Sequence, residues 1–71
     1  MTRQPVNSSN IASVGYDAVT GTLEVEMRHG GVYQYTGVPV DLAEQMMNNV
    51  VSVGKFFNSQ VVGKFAHKRV K

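Results

Sequence analysis

The chain alternates apolar and polar residues in its first half and changes to a helical spacing in its second half. Three alternating segments, residues 11–16, 22–28 and 32–36, are separated by glycine-containing turns at 17–21 and 29–31. A period of two residues is typical of half-buried strands, so these segments predict an antiparallel β-meander. The face expected to be buried consists of Ala12, Val14, Tyr16, Leu23, Val25, Met27, Tyr33 and Tyr35.

The first helical segment follows Pro39, a residue that cannot donate to a strand ladder and therefore ends the meander. Leu42, Met46 and Val50 recur every four residues. This spacing puts them on one side of a helix, with polar residues on the other side. The pattern predicts an amphipathic helix that begins near Val40.

The second helical segment begins with Ser52, a residue type that caps helix N-termini well. Val51 and Phe56 occupy the two positions of a hydrophobic staple around this cap. Gly63 disfavours helix and is expected to end it. The buried stripe of this second helix consists of Val53, Phe56, Phe57, Val61 and Phe65.

These elements predict an α+β fold in the order β-β-β-α-α: a three-stranded antiparallel meander with two helices packed on one face. Seventy-one residues form one domain. We expect a flexible N-terminal arm at residues 1–8, a single domain at 9–65 and a basic tail at 66–71.

Composition excludes several classes of protein. The chain has no cysteine, so disulfides and thiolate metal sites are ruled out, and a cytoplasmic location is expected. A hydrophobic fraction of 42% is ordinary for a folded domain, and no apolar run is long enough to span a membrane. Because so short a chain has a small core, association into a homodimer is an available source of stability.

Charge is unevenly distributed along the chain. Residues 1–44 have a net charge of −3, whereas residues 45–71 contain five basic residues and no acid. Such asymmetry indicates a polyanionic partner such as RNA or another phosphate-bearing ligand. A solvated basic helix and tail explain the same pattern, because charge patches inform about association and not about fold.

The chain carries an ordered series of short motifs: Ser9, Val14-Gly15-Tyr16-Asp17, Leu23-x-Val25, Gly31-x-Tyr33-x-Tyr35, Val38-Pro39 and Ser52-x-Gly54-x-Phe56-Phe57-Asn58. This series resembles the KTSC domain, a short domain found alone in bacterial proteins and at the C-terminus of some lysyl-tRNA synthetases. The likeness extends from Ser9 to Phe65, with Met27 and Phe65 departing from the aromatic residue and the tyrosine expected there. It implies a domain of unassigned function, and the attachment to a synthetase suggests RNA binding.

The Tyr33-x-Tyr35 motif has two interpretations. Exposed tyrosines on a sheet can stack on nucleic acid bases. These two share a face with Leu23 and Val25, however, and we therefore expect tyrosines that fill the core with their hydroxyls at its edge. A pocket for a small nucleotide between the tyrosines and Ser52 is the alternative.

The sequence supports no catalytic or metal site. His29 and His67 are far apart in sequence and have no cysteine or carboxylate pair beside them. Asp41 and Glu44 have the spacing of a helix cap, and Asp17 is expected to form a turn. We therefore expect a protein that is not an enzyme and that needs no cofactor.

The predicted function is a small binding module, with RNA or another phosphate-bearing ligand as its partner. A protein-interaction or self-association module is the rival hypothesis. The start of the second helix is a further candidate, because its free N–H groups favour an anion, which the Lys55 ammonium would balance. The candidate binding residues are Tyr33, Tyr35, Ser52, Gly54, Lys55, Lys64, Lys68, Arg69 and Lys71.

Overall fold

The computed structural model describes residues 3–48 and 52–71 and contains one antiparallel sheet and two helices. The five strands follow one another in the sheet in the order in which they occur along the chain. The α+β class and the three predicted strands are confirmed, but the sheet has two strands more than predicted. The elements are β1 Gln4–Pro5, β2 Ile11–Asp17, β3 Thr22–Met27, β4 Val32–Tyr35, α1 Val40–Asn48, α2 Val53–Gln60 and β5 His67–Arg69.

The N-terminal segment forms an edge strand where a flexible arm was expected. Gln4 and Pro5 pair with Val14 and Ser13 of β2. A proline is compatible with this position because an edge strand leaves N–H groups unpaired. Arg3 adds a salt bridge to Glu24, with 2.9 Å between Nη1 and Oε2. Residues 1 and 2 of the predicted arm lie outside the described part of the chain.

The basic tail forms the opposite edge of the sheet. Its strand β5 pairs with β4, so that His67 lies opposite Tyr35 and Arg69 lies opposite Tyr33. The pairing is extended at both ends, where Thr36 N donates to Ala66 O at 2.9 Å and Val70 N donates to Val32 O at 2.8 Å. The Tyr-x-Tyr strand is therefore internal to the sheet and not its last strand.

A β-bulge in β2 changes which residues enter the core. Ile11 lies opposite Met27 and Ser13 lies opposite Glu26, which leaves Ala12 as the extra residue. Ile11 thereby occupies the core face and is completely buried. The prediction that Ala12 lies on the core face was wrong, because strict alternation cannot cross a bulge.

The first hairpin has the predicted turn chemistry. Asp17 Oδ1 accepts a hydrogen bond from Val19 N at 2.9 Å, which confirms the turn-forming role of this aspartate. Gly21 has a φ of 71°, a conformation that favours glycine. The Gly21 carbonyl also accepts from Val38 N at 3.0 Å, which fixes the end of β4 against the hairpin.

Helix α1 begins at Val40 with Ala43 N donating to the Pro39 carbonyl at 3.1 Å. Asp41 lies in the first turn and does not precede the helix as the cap residue of a capping box would. An acidic residue in this turn still stabilises the helix through its dipole. Val50, predicted to continue the apolar stripe, lies outside the described residues.

The serine cap of α2 is confirmed. Ser52 is extended, and its Oγ accepts a hydrogen bond from Lys55 N at 3.4 Å. The helix ends at Gln60, three residues before Gly63, whose φ of 78° helps to redirect the chain toward β5. Val51, the proposed first half of the hydrophobic staple, lies outside the described residues.

The core lies between one face of the sheet and the two helices. Tyr35 is buried with 5% of its surface exposed, whereas Tyr33 is only half-buried and packs at the edge of the core. Within the described ranges neither helix is long and apolar enough to cross a bilayer. The central cluster consists of Ile11, Val14, Leu23, Val25, Tyr35, Val38, Ala43, Met46, Val53, Phe57 and Val61.

The difference in burial between the two tyrosines predicts different contributions to stability. Tyr35→Ala should lower the free energy of unfolding by about 3 kcal/mol or more, as truncation of a buried aromatic residue does. Tyr33→Ala should cost only about 1 to 2 kcal/mol, because that ring is less deeply buried than Tyr35 and packs at the edge of the core. Urea unfolding of the two variants measures both values, and equal losses would contradict this assignment of the core.

Candidate functional site

A cleft opens between the loop before β2, the turn after β3 and the first turns of α2. It has two chambers that share Ser9, Asn10, Gly54 and Asn58. The first chamber has a volume of about 330 Å³. Its deeper wall is apolar, and its rim is polar. The apolar lining residues are Ile11, Met27 and Phe57, and the additional polar ones are Arg28 and His29.

The second chamber lies over the N-terminus of α2 and is more polar. Its volume is about 370 Å³. Ser52 and Lys55 contribute a hydroxyl and an ammonium group to it, and Asn7 and Ser8 line the opposite side. Hydroxyl, amide and ammonium groups are suited to hydrogen-bonding the oxygens of an anion.

Local hydrogen bonds hold the loop that separates β1 from β2 in position. Ser8 Oγ accepts from the backbone N–H groups of Asn10 at 3.2 Å and Ile11 at 3.3 Å. Arg28 donates from Nε to the Ser8 carbonyl and from its backbone N to the Asn10 carbonyl, the latter at 2.8 Å. Arg28 therefore has a structural role in the loop as well as a place on the cleft rim.

Gly54 marks the closest approach of α2 to this loop. A Cβ atom at this position would lie 3.4 Å from Ser8 Oγ and 3.9 Å from Asn10 Nδ2. An alanine therefore fits without a clash, but its methyl group would occupy space that both chambers share. Gly54, which has no side chain, thus lies where the two chambers adjoin.

A second cluster of aromatic and cationic side chains forms where β4 meets β5. We call Tyr33, Tyr35, His67 and Arg69 the β5 stripe. The His67 ring stacks on Tyr35 with 5.1 Å between centroids, and Tyr35 meets Phe57 edge-on at 5.4 Å. Arg69 lies over Tyr33 with its Cζ 5.8 Å from the ring centroid, within the range of a cation–π interaction.

The cleft and the β5 stripe adjoin at Gly31. A Cβ atom there would lie 2.9 Å from His29 Cε1, 3.2 Å from Tyr33 Cε1 and 3.4 Å from an Arg69 Nη atom. His29, a lining residue of the cleft, is thus a neighbour of the β5 stripe. Gly31 N donates to His29 Nδ1 at 3.4 Å, which leaves Nε2 as the hydrogen-bond donor of the neutral ring.

The two glutamates of β3 lie apart from these two sites. Glu24 and Glu26 lie on the opposite, uncovered face of the sheet, where Glu24 binds Arg3 and Gln34, and Glu26 binds Ser13. No carboxylate from the described ranges lines either chamber of the cleft. The positive charges of the cleft are therefore not neutralised within it.

The fold shifts the pKa of Tyr35. Burial raises the pKa of the Tyr35 hydroxyl above its usual value, and the neighbouring Tyr33 adds to the increase. Burial has this effect because a charged phenolate loses its hydration in the core.

The predicted binding residues do not form one surface. Ser52, Gly54 and Lys55 line the second chamber. Tyr33, Tyr35 and Arg69 belong to the β5 stripe and line neither chamber.

The remaining predicted lysines lie elsewhere. Lys68 lies opposite Gln34 in the β4–β5 pairing, which puts it on the uncovered face of the sheet. Lys64 is exposed in the turn after α2, and Lys71 follows β5.

Sequence reasoning missed part of the cleft. Arg28 and His29 precede a glycine turn, and Asn10 lies in a polar loop, so no periodic pattern singles them out. Ser9 and Asn58 belong to the motifs that resemble the KTSC domain, but nothing in the sequence shows that they share a cleft. In residues 3–48 and 52–71, histidines and carboxylates form no group of three that could hold a metal ion.

Comparison with known proteins identifies the family. The sequence pattern of the KTSC domain matches residues 7–65. The chain belongs to the KTSC family. The resemblance inferred from the motifs is thus confirmed. Four of the motif residues, Ser9, Gly54, Phe57 and Asn58, line the first chamber of the cleft.

Relatives of this KTSC domain occur both alone and inside larger proteins. An uncharacterized protein of Stutzerimonas stutzeri is 36% identical, covering 82% of this chain and 80% of the relative. A lysine–tRNA ligase of Trichormus variabilis is 34% identical over 87% of this chain. The chain spans only 11% of the length of that ligase.

A solved structure shows the same fold. The crystal structure of a KTSC domain protein from Yersinia pestis superposes with a TM-score of 0.94 and is 43% identical in sequence. The match covers 99% of this chain and 97% of that one. The two edge strands, β1 and β5, are thus among the residues that superpose.

The raised pKa of Tyr35 predicts a loss of stability at alkaline pH. Above about pH 10 the tyrosine ionises in the unfolded chain while it stays protonated in the folded one. Stability is therefore complete below this pH and falls as the pH rises toward the folded pKa. Urea unfolding between about pH 8 and pH 11 should show this slope, and Tyr35→Phe should reduce it.

Tyr33→Phe is the matched control for this measurement. It removes the smaller cause of the shift and should reduce the slope less than Tyr35→Phe does. An alkaline slope that Tyr35→Phe leaves unchanged would show that Tyr35 is not the group responsible.

Proposed function

We propose that this KTSC domain is a non-catalytic module that binds RNA through its backbone phosphates. The observation behind the proposal is the separation of charge in the folded chain. Arg28 and Lys55 line a cleft to which the described residues contribute no carboxylate side chain, and Arg69 places a further positive charge over Tyr33 in the β5 stripe. Neutralising phosphates and releasing their counterions is the largest general source of affinity for nucleic acids.

The β5 stripe adds groups suited to an unpaired strand. Tyr33 is half-exposed, His67 is exposed, and Arg69 lies over the Tyr33 ring. Aromatic and guanidinium planes stack on the bases of single-stranded nucleic acids with little dependence on sequence. A single strand whose phosphates contact the cleft and whose bases contact the stripe agrees with both clusters.

The relatives support the same class of ligand. By their names, the lysine–tRNA ligases that this chain resembles act on tRNA, and the domain is a small part of their length. A small domain appended to such an enzyme can add affinity for the RNA without taking part in the reaction, because linkage raises the effective concentration.

Binding explains the cleft better than catalysis does. His29 and Ser9 both line the first chamber, but no carboxylate from the described residues lies there to orient a histidine toward a nucleophile. The cleft has donors and cations, which recognise an anion, and lacks the paired acid and base that proton transfer requires.

Two neighbouring residues of β5 provide a matched test. Arg69 lies on the helix-covered face and Lys68 on the uncovered face, so Arg69→Gln and Lys68→Gln remove the same charge from opposite sides. Arg69→Gln should reduce the salt slope of binding to single-stranded RNA by about 0.7 and should weaken binding. Lys68→Gln should change both much less. Fluorescence anisotropy at several salt concentrations measures affinity and slope.

Three results would overturn the proposal. The first is equal effects of the two substitutions, which would show that the overall net charge attracts RNA and that neither face of the sheet binds it specifically. The second is the absence of RNA binding by the wild-type chain at low salt. The third is a dimer in light scattering whose formation competes with RNA, which would favour self-association through the same surface. Circular dichroism confirms that each variant is folded.

Lys55→Glu separates stability from binding in the second chamber. The substitution puts an acid in the first turn of α2 and completes a Ser-x-x-Glu capping box with Ser52, so stability should rise by a few tenths of a kcal/mol. RNA affinity should fall, because an anion replaces a cation in the cleft. A variant that gains stability and retains full affinity would remove Lys55 from the binding site.

A further inference from the structure

We propose that the cleft is a pocket for a single nucleotide unit, with the base in the first chamber and the phosphate in the second. The inference rests on the proposed RNA binding and adds a site to it. It follows from the different linings of two chambers that join at Gly54. A nucleotide likewise has two unlike ends, a flat aromatic base and an anionic phosphate, joined by a ribose.

The first chamber suits a base. Its volume of about 330 Å³ lies at the small end of the range for ligand pockets, about 300 to 1,000 Å³. Met27 and Phe57 provide apolar surface for the plane of the ring. Arg28 and Asn10 at the rim supply guanidinium and amide groups that can hydrogen-bond the edge of a base, as these residue types do in nucleic-acid complexes.

The second chamber suits a phosphate. Ser8, Ser52 and Lys55 line it, and no acidic side chain of the described residues opposes them. The ammonium group balances the charge, and hydroxyl groups can donate to the phosphate oxygens. Because the chambers share four residues, one ligand can occupy both at once.

Nuclear magnetic resonance can separate the two chambers. Uridine 5′-monophosphate, uridine and inorganic phosphate are titrated separately against the labelled, complete chain. The nucleotide should shift the backbone amides of Asn10, Gly54 and Asn58 together with that of Lys55. Uridine should act mainly near Met27 and Arg28, and phosphate mainly near Ser52 and Lys55. The nucleotide should bind more tightly than either part, because both chambers contribute.

Two outcomes of this titration would overturn the pocket. One is the absence of any chemical-shift change in these amides at millimolar nucleotide. The other is a set of nucleotide shifts identical to those from inorganic phosphate, which would show an anion site without a site for the base.

Gly54→Ala tests the connection between the chambers. Its methyl group meets no protein atom closer than 3.4 Å and replaces glycine inside a helix, so the fold should be at least as stable as before. The same methyl group intrudes where the ligand crosses between chambers and should weaken nucleotide binding about tenfold or more. Ser59→Ala, on the same helix and outside the cleft, is the matched control and should leave binding unchanged. Full nucleotide affinity in Gly54→Ala would contradict a ligand that spans the two chambers.

The same variants distinguish failure of the pocket from failure of RNA binding. If Gly54→Ala binds RNA as well as the wild type while Arg69→Gln binds it weakly, RNA binds along the β5 stripe and the pocket is wrong. If the wild type binds nucleotide in both chambers but does not bind RNA, the proposed function is wrong and the ligand is a free nucleotide.

Discussion

The contacts of Tyr35 connect the parts of this fold. Its strand pairs with β3 on one side and β5 on the other, while its ring meets Phe57 of α2 edge-on and stacks on His67. One buried aromatic residue therefore joins the meander, the second helix and the C-terminal strand. A domain of this size buries a smaller fraction of its surface than a large domain does, so such shared contacts matter more than they would in a larger core.

Both candidate binding surfaces depend on this arrangement. Phe57 lines the first chamber on one side of its ring and packs against Tyr35 on another. Pairing of β5 with β4 places Arg69 over Tyr33, beside the Gly31 position that His29 also adjoins. The cleft and the β5 stripe are thus built on the same core contacts, and a change that loosens Tyr35 is expected to affect both.

Charged side chains are arranged differently on the two faces of the sheet. Glu24 and Glu26 lie on the uncovered face and are bonded to Arg3, Gln34 and Ser13. The side with the helices presents Arg28, Lys55 and Arg69 without neighbouring carboxylates in the cleft. A net charge of only +2 therefore understates the local positive charge of the cleft, and local positive charge attracts phosphate.

The sequence by itself determined the features that arise from neighbouring residues. Strict alternation located strands β2, β3 and β4, the Asp17–Gly21 turn followed from its residue types, and Ser52 was identifiable as a helix cap.

Only the tertiary structure decided the features that depend on residues far apart in the chain. β1 is too short to show a period, and β5 is a basic segment without apolar alternation, so each is a strand only because its partner offers free hydrogen-bonding groups. The bulge at Ala12 shifts the core face by one residue, an event that alternation cannot indicate. The cleft, likewise, forms where a polar loop, a turn and a helix start meet, and its residues share no period because they come from three separate segments of the chain.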